Sequence, residues 1–467
     1  MFSRSLCLLV ALVPAVLGAQ APTFEPPSVN PLVPTSNYTG ASNGTLQKQP
    51  VVAGKVFDRF IQIWLENTDY NDAASTAAFQ KLKEQGILLS QYYAVTHPSE
   101  PNYVAAAGGD FWGMGDDNFY NIPSNVSTIV DLLESKAISW ASYQESMPVD
   151  GDEAFNASSA NYLNASAPSY FYYERKHNPT IIYDSVATVD SRRQRHRNFN
   201  DLAADVNASA IPQWLFITPN MINDGHDTSI DFAGSWLDYF MPTMLAHPAF
   251  NDNRTLILLT FDETETYTIN NRIFTLLLGG AVPDALKNTT DDTFYTHYST
   301  LSTVENNWDL PSLGRQDANK TVSNVFALVA NKTGYSNEQL TEDQFPLLNL
   351  TGTIAGPLNP TLYVPFVAPD VNAHGAGNGT VFVGQGVNAS LTALTAPAPV
   401  NLTQANETVP ASGPRANSTD GSSNSTSGSG SGSGSSGSGG QSSGAESVRI
   451  AGAAVFGVLG AAVALVL

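Results

Sequence analysis

Four short apolar runs constrain the fold of this chain most strongly, because each of them stops at a cluster of polar and charged side chains. The runs lie in IQIWLEN (61–67), YYAVTHPSEPNY (92–103), QWLFITPNMINDGHD (213–227) and LILLTFDE (256–263). Their residues are mostly β-branched, aliphatic or aromatic, which is typical of buried strands that deliver side chains to the carboxyl edge of a parallel sheet. We therefore expect the four clusters to form a single site.

Strand-like and helix-like patterns alternate between residues 51 and 365. The strand-like runs are 57–65, 87–95, 137–143, 213–218, 255–261 and 273–278, and the helical stretches include 74–85, 101–108, 128–136 and 299–307. This alternation predicts an α/β sandwich, with a mostly parallel central sheet flanked by helices. We expect residues 51–365 to be one catalytic domain, preceded by an N-terminal extension at 20–50.

The overall charge argues against one class of partner. The chain has 467 residues and a formal net charge of −21, which disfavours binding to nucleic acid. The basic run SRRQRHR at 191–197 is the exception, and we interpret it as a solvated loop.

The first nineteen residues have the layout of a cleaved secretory signal. One arginine precedes a short apolar stretch, and small residues lie near Ala19. Cys7 is the only cysteine of the chain and would leave with this segment. The mature protein would then have no disulfide bond, and its stability must come from a sizeable core.

Secretion is also indicated by seventeen Asn-x-Ser/Thr sequons, which are acceptor sites for N-linked sugars. Their asparagines are Asn37, Asn43, Asn125, Asn156, Asn164, Asn207, Asn253, Asn288, Asn319, Asn331, Asn349, Asn378, Asn388, Asn401, Asn406, Asn417 and Asn424.

The C-terminal region changes composition after a glycosylated peripheral extension at 366–409. Residues 410–447 are rich in Ser and Gly and should form a flexible stalk, and residues 448–467 contain an apolar tail. Small residues, a short polar spacer and an apolar tail are typical of a glycosylphosphatidylinositol (GPI) attachment signal, and we assign Gly440 as the attachment residue. The alternative is a true transmembrane helix.

Two dipeptides provide candidate metal ligands. Glu66 and Asn67 follow one predicted strand, and Asp262 and Glu263 follow another. Carboxylate and amide oxygens are hard ligands, so the four residues could hold one divalent cation. Either dipeptide alone is more typical of a turn or a helix cap.

Ser99 is the candidate nucleophile. The preceding strand should end at Val95 and a helix should begin near Pro101, so that helix N–H groups favour an anionic phosphoryl oxygen beside the hydroxyl group. The alternative is that Ser99 only caps the helix. Thr96 is the competing hydroxyl, and His97 either contacts the phosphate or completes the turn.

Three further histidines are candidates for the site. His226, with Asp224 beside it, and His297 lie near predicted element ends, and either could bind phosphate or protonate a leaving group. We assign His177 and Asn118, with His97, to substrate binding. An ordinary surface turn is the alternative for His177, which Lys176 and an Asn-Pro pair flank.

The ordered motifs E66-N67, H97-P-S-E-P-N-Y103, K176-H-N-P179, N223-D-G-H-D227, T260-F-D-E263 and T296-H-Y-S299 resemble the phosphoesterase family of the alkaline-phosphatase superfamily. This family includes secreted fungal acid phosphatases and bacterial phospholipases C, and the resemblance covers roughly residues 55–330. It implies that Glu66, Asn67, Ser99, Asp262 and Glu263 ligate the metal and that His226 and His297 contact the phosphate.

The resemblance implies one divalent metal ion of unknown identity, because the Asp- and His-rich two-zinc set of alkaline phosphatase is not evident. It also implies a secreted acid phosphatase that hydrolyses small phosphate monoesters through a phosphoserine intermediate. The C-terminal sequence pattern adds the expectation that this enzyme is held at the cell surface, with a GPI lipid as its link to the membrane or cell wall. A phospholipase C-type phosphodiesterase is the alternative within the family. A non-catalytic GPI-anchored cell-wall glycoprotein is the alternative from another class.

Overall fold

The computed structural model describes residues 24, 30–34, 39–161, 166, 168–346, 348 and 354–402. These residues belong to one compact unit. The predicted signal segment (1–19), the Ser/Gly-rich stalk, Gly440 and the apolar tail lie outside the described residues. Among the helices that are described, none is both long enough and apolar enough to cross a bilayer.

An eight-stranded sheet forms the centre of the molecule. Its strands are β1 (Arg59–Leu65), β2 (Ile87–Tyr93), β3 (Trp140–Gln144), β6 (His196–Arg197), β7 (Trp214–Thr218), β8 (Thr255–Phe261), β9 (Thr275–Leu278) and β10 (Thr289–Thr296). They are ordered β10-β2-β9-β8-β1-β7-β3-β6. All neighbours are parallel except β9, which is antiparallel to both β2 and β8. The predicted α/β architecture with a mostly parallel sheet is therefore confirmed.

Helices cover the sheet. They are α1 (Tyr70–Ser75), α2 (Ala77–Lys83), α3 (Ser99–Gly108), α4 (Ile129–Glu134), α5 (Asp184–Ala187), α6 (Asp190–Arg193), α7 (Phe199–Asn207), α8 (Ile230–Ala246), α9 (Tyr298–Trp308) and α10 (Ala327–Thr333). Helix α2 packs against α8, and α9 contacts both α3 and α10. Every residue of β7 and β8 is buried, which explains why these strands are continuously apolar in sequence.

The element ends differ from the prediction by a few residues. Strand β2 ends at Tyr93 rather than at residue 95, and α3 begins at Ser99 rather than near Pro101. The helical stretch at 74–85 is two helices, because Thr76 has an extended backbone (φ −78°, ψ 134°). The site residues keep their predicted places after strand ends.

The basic run at 191–197 is not the solvated loop that we expected. Arg197 is buried in β6, and its guanidinium lies 2.9 Å from Asp150 Oδ2, 3.2 Å from Asp201 Oδ1 and 3.0 Å from Asp205 Oδ2. Three carboxylates offset the desolvation of one buried cation, which a scan of charge along the sequence does not reveal. The same cluster binds residues 43–46 of the predicted N-terminal extension, since Asp201 and Asp205 accept backbone N–H bonds from Asn43 and Leu46.

Smaller elements surround the sheet. Two antiparallel pairs are β4 (Asn156–Ser159) with β5 (Tyr170–Glu174), and β11 (Leu362–Tyr363) with β12 (Val400–Asn401). None of the sequon asparagines that the structure describes is buried; these are residues 43, 125, 156, 207, 253, 288, 319, 331, 378, 388 and 401. Their side chains are therefore accessible to the glycosylation that the sequence predicts.

Candidate active site

The centre of the site lies where three neighbouring strands end. Glu66 follows β1, Asp262 follows β8, and Asp224 lies in the loop after β7. Backbone hydrogen bonds fix these loops together, because Glu66 N–H donates to Asp224 O at 3.0 Å and Asp262 N–H donates to Leu65 O at 3.1 Å. Three buried carboxylates thus meet at the carboxyl edge of the sheet.

Ser99 reaches this carboxylate cluster from the first turn of α3. Its hydroxyl donates to Glu66 Oε2 at 3.1 Å and lies 3.4 Å from Asn67 Oδ1, and the residue is 1% exposed. Thr96 Oγ1, in contrast, donates to the backbone carbonyl of His97 at 3.4 Å and to no other described residue. The geometry favours Ser99 over Thr96 as the nucleophile.

Asn67 adds a further ligand atom. Its backbone N–H donates to Asp262 Oδ1 at 3.1 Å. The inner end of its side-chain amide lies 3.1 Å from Glu66 Oε2 and 3.1 and 3.2 Å from the two Asp262 carboxylate oxygens. This end donates hydrogen bonds when its nitrogen faces the carboxylates, and it becomes a cation ligand when its oxygen does.

The three buried carboxylates of this cluster favour a bound cation. Burial, with the nearby charges of Asp262 and Asp224, raises the pKa of Glu66 well above its usual range. Burial also raises the pKa of Asp262 to about 6 and that of Asp224 well above its usual value. A divalent cation among these oxygens would hold all three groups ionised, so the residues present fit a bound metal ion.

Glu66 faces a second set of groups through its other oxygen. Tyr103 OH donates to Glu66 Oε1, and His177 Nε2 lies 3.3 Å from the same oxygen. His177 Nδ1 is 3.8 Å from Asp224 Oδ2, so that Glu66, His177 and Asp224 form a buried triad that could hold a metal. Burial lowers the pKa of His177 well below its usual value, which keeps its ring neutral and able to ligate.

The carboxylate of Glu263 contacts other residues than those that surround the other three predicted metal ligands. Its Oε2 lies 2.6 Å from His97 Nδ1 and 3.3 Å from Asn102 Nδ2. The His97 ring stacks on Tyr267 with a 4.0 Å separation of ring centroids, and burial lowers the His97 pKa to about 4. A metal-ligand role for Glu263 remains a prediction.

His226 lies at the accessible side of the site. Its side chain is 25% exposed, its Nδ1 lies 2.7 Å from Asp227 Oδ1, and its Nε2 lies 3.5 Å from Lys176 Nζ. Lys176 also pairs with Asp117 Oδ2 at 2.9 Å. Asn118, next to Asp117, is exposed on the same loop. An accessible histidine beside an ammonium group can exchange protons with a leaving group.

The chain is similar in sequence to known proteins. The sequence profile of the phosphoesterase family matches residues 42–311. The chain belongs to the phosphoesterase family. An acid phosphatase of Aspergillus fumigatus is 46% identical over 360 residues, which are 76% of this chain and 75% of that protein. A phosphate-repressible acid phosphatase of Penicillium chrysogenum is 46% identical over 333 residues, 71% of this chain and 77% of that protein.

More distant proteins were also found. A phosphatidylinositol-3-phosphatase of Mycobacterium tuberculosis is 29% identical over 51% of this phosphoesterase and 72% of its own length. A solved structure from Vibrio parahaemolyticus, described as a protein in the alkaline phosphatase superfamily, has 10% identity and a TM-score of 0.32. It covers 58% of this phosphoesterase and 69% of its own chain.

His297 occupies a supporting position in this phosphoesterase. Its Nε2 lies 2.6 Å from the Asp262 backbone carbonyl, its Nδ1 lies 3.4 Å from Tyr92 OH, and its ring stacks on Trp64. Burial lowers its pKa to about 3, so the ring is neutral. With both nitrogens engaged, the geometry favours positioning of Asp262 over the predicted contact with phosphate.

Sequence reasoning left four residues of this phosphoesterase without a role: Asn102, Tyr103, Lys176 and Asp224. The Asn102 side chain accepts from the N–H groups of Val95 and Thr96 and donates to the carbonyls of Thr96 and Pro98, which fixes the loop before Ser99. The motifs quoted above contain all four residues. Their roles depend on contacts between elements, which spacing along the chain does not give.

Proposed function

We propose that this enzyme is an acid phosphatase that hydrolyses phosphate monoesters through Ser99. The observation that carries the proposal is the 3.1 Å hydrogen bond from Ser99 Oγ to Glu66 Oε2 inside a buried carboxylate cluster at the start of α3. The fungal relatives named acid phosphatases support the choice of a monoester.

In the first step, Ser99 Oγ, which donates to Glu66 Oε2 at 3.1 Å before the reaction, loses its proton to water and attacks the phosphorus atom. Lys176 places a positive charge beside His226, at 3.5 Å, and the two groups face the incoming phosphate ester from the accessible side. His226 donates a proton to the departing alcohol, so that a phosphoserine and a neutral alcohol result.

In the second step, water attacks the phosphoserine. His226, now neutral, takes the proton of this water, and Ser99 Oγ regains a proton from solvent as its bond to phosphorus breaks. Inorganic phosphate leaves and both residues regain their starting protonation. Tyr103 and His177 hold the other oxygen of Glu66 through both steps.

Glu66, Asn67 and Asp262 would hold a divalent cation, with His177 and Asp224 as further ligands on the other side of Glu66. Such an ion supplies positive charge that lowers the pKa of the Ser99 hydroxyl and offsets charge on the phosphoryl oxygens.

An assay of the secreted protein on a soluble monoester and on a choline phospholipid, each with and without a chelator, tests this proposal. We expect turnover of the monoester, its loss on chelation, and recovery when a divalent metal is restored. Turnover of the phospholipid alone would instead establish the phospholipase C-type alternative. A folded protein inactive on both substrates with every metal would contradict the enzymatic proposal.

We also infer that the protein is secreted and attached to the cell surface by a GPI lipid. The leader-like segment, the sequons and the apolar tail of the sequence support this inference. Phosphatidylinositol-specific phospholipase should release the protein from membranes, and a chain ended near Ser436 should appear active in the medium. Peptides from 450–467 in the mature protein would contradict the anchor and favour a membrane span.

A further inference from the structure

A polar cleft lies beside the candidate site at the same edge of the sheet. Its volume is about 1200 Å³, and it is bounded by the start of α1, the end of β2, the loop at 267–272, and Glu342, Phe345, Pro346 and Leu348. Tyr267 forms part of its wall and stacks on His97, which contacts Glu263. Asn271, another wall residue, donates to the Thr96 backbone carbonyl at 2.8 Å. The cleft therefore adjoins the loop that carries Ser99.

Arg272 is the cation of this cleft. Its guanidinium lies over the Tyr70 ring, 3.8 Å from the centroid, and its Nε has no hydrogen-bond partner within the described part of the chain. This Nε is itself buried, so the donors available to a ligand are the N–H groups of the two terminal nitrogens.

Hydrogen-bond acceptors face the same space. Asp72 is exposed, and Glu342 Oε1 accepts only a long bond of 3.3 Å from Gln91. Asp69 also lines the cleft, although both of its oxygens already accept bonds from Thr266. Three carboxylates and one arginine thus share one cavity that also contains amide and tyrosine side chains.

The charges that line the cleft determine which kind of alcohol group of a substrate could bind there. A second anionic group would meet three carboxylates, and a cationic group would meet Arg272, which already covers the face of Tyr70. Neutral hydroxyl groups both donate and accept, so they can bond Arg272 and the carboxylates together. We propose that the cleft binds the alcohol part of the substrate and that this part is a neutral, polyhydroxylated group such as a sugar or a cyclitol.

This inference rests on the proposed function, because the cleft would serve the phosphoryl-transfer site next to it. Kinetics of the full secreted chain test it, with glucose 6-phosphate compared with ethyl phosphate, which has no hydroxyl groups. Arg272→Gln should lower kcat/KM for glucose 6-phosphate roughly ten-fold, as expected for one lost hydrogen bond from a charged group, and leave ethyl phosphate nearly unchanged. Asp72→Asn changes an exposed side chain and should not disturb folding. It should also lower kcat/KM for glucose 6-phosphate relative to kcat/KM for ethyl phosphate.

Arg195→Gln is the matched control, because Arg195 also lies over an aromatic ring, that of Trp140, at the distant edge of the sheet. This variant should leave kcat/KM unchanged for both substrates. If both cleft variants leave the turnover of glucose 6-phosphate and of the lipid substrate described below unchanged relative to ethyl phosphate, the inference is overturned. An equal loss on glucose 6-phosphate and ethyl phosphate would also overturn it. Absence of turnover on every monoester would instead overturn the proposed function.

Further substrates test the charge and the source of the alcohol. Fructose 1,6-bisphosphate and phosphocholine should be poorer substrates than glucose 6-phosphate, and a preference for either would overturn the neutral assignment. Vesicles of phosphatidylcholine with phosphatidylinositol 3-phosphate present a polyol in a lipid headgroup. A loss in Arg272→Gln on these vesicles alone would place the polyol in a lipid, and a loss on glucose 6-phosphate alone would place it in a soluble sugar.

Discussion

Ser99 owes its position to two residues of its own helix. Tyr103, one turn further along α3, bonds the far oxygen of Glu66, while Asn102 ties the preceding loop to α3 and to Glu263. Ser99, the proposed nucleophile, is thus held on the cluster by α3 itself, which is the rigid placement that the proposed phosphoryl transfer requires.

Removing the Ser99 hydroxyl should abolish turnover without unfolding the protein. We expect Ser99→Ala to lower kcat roughly a thousand-fold or more, because no other group replaces an attacking oxygen. Thr96→Ala is the matched control and should lose less than roughly ten-fold. Rapid quenching with labelled substrate, followed by phosphopeptide mapping, checks the assignment, and label on Thr96 would refute it.

Neutralising Asp262 should weaken cation binding and activity together. Asp262→Asn keeps the shape of the side chain but removes one ligand charge, so we expect at least roughly a ten-fold loss of metal affinity, measured by calorimetry on the apoprotein. Asp238→Asn, at an exposed carboxylate paired with Lys81, should leave the affinity unchanged. Full metal occupancy in a Glu66→Ala/Asp262→Ala double variant would contradict the site.

At the scale of elements, helix α8 follows directly from the site loop that carries Asp224 and His226. Ser229 is the N-cap residue of this helix, and its hydroxyl accepts a hydrogen bond from Phe232 N–H at 3.3 Å. We expect Ser229→Ala to lower the free energy of unfolding by about 1 kcal/mol, as loss of an N-cap usually does. Ser235→Ala, inside the same helix, should cost less, and urea unfolding of both variants checks this. Equal losses of unfolding free energy in the two variants would show that the Ser229 cap does not stabilise the helix more than an ordinary serine inside it.

The elements show how far the sequence alone leads. Strands β1, β7 and β8 were predictable because both of their faces are buried and their runs are continuously apolar. Strand β10 was missed, since its first half (Thr289–Thr293) alternates between exposed and half-buried polar residues at the edge of the sheet. Glu66, Asn67 and Asp262 follow predictable strands, whereas His177 and Asp224 reach Glu66 from loops whose path depends on tertiary packing.

At the scale of the whole molecule, stability should depend on pH through the buried acid Glu145, which contacts Asn223 of the loop that carries Asp224. Burial raises the pKa of Glu145 from 4.5 to about 7, although bonds from Asn223 and Asn220 N–H oppose the shift. The folded state therefore keeps this proton up to about pH 7, while the unfolded chain releases it above pH 4.5. The resulting stabilisation is complete below pH 4.5 and is lost as the pH rises through 7.

Glu145→Gln should remove this dependence, because an amide stays neutral at every pH. Between pH 4.5 and 7.5, the wild type should lose about 3 kcal/mol of unfolding free energy relative to the variant, as measured by urea unfolding. Glu84→Gln, at an exposed position, is the control and should run parallel to the wild type. Parallel curves for Glu145→Gln would show that Glu145 is ionised in the folded state.

Hydrogen bonds attach residues 366–402 to the core. Their partners in the core lie in and after α9, the helix that follows the last strand of the large sheet. Phe382 and Asp370 donate to the carbonyls of Ser312 and Gly314, and Ala376 N–H donates to the buried Glu305 on α9. A recombinant chain shortened to residue 365 would leave Glu305 open to water and α9 without its outer cover. Crystallographers and protein engineers should therefore place a purification tag or a fusion partner beyond residue 402.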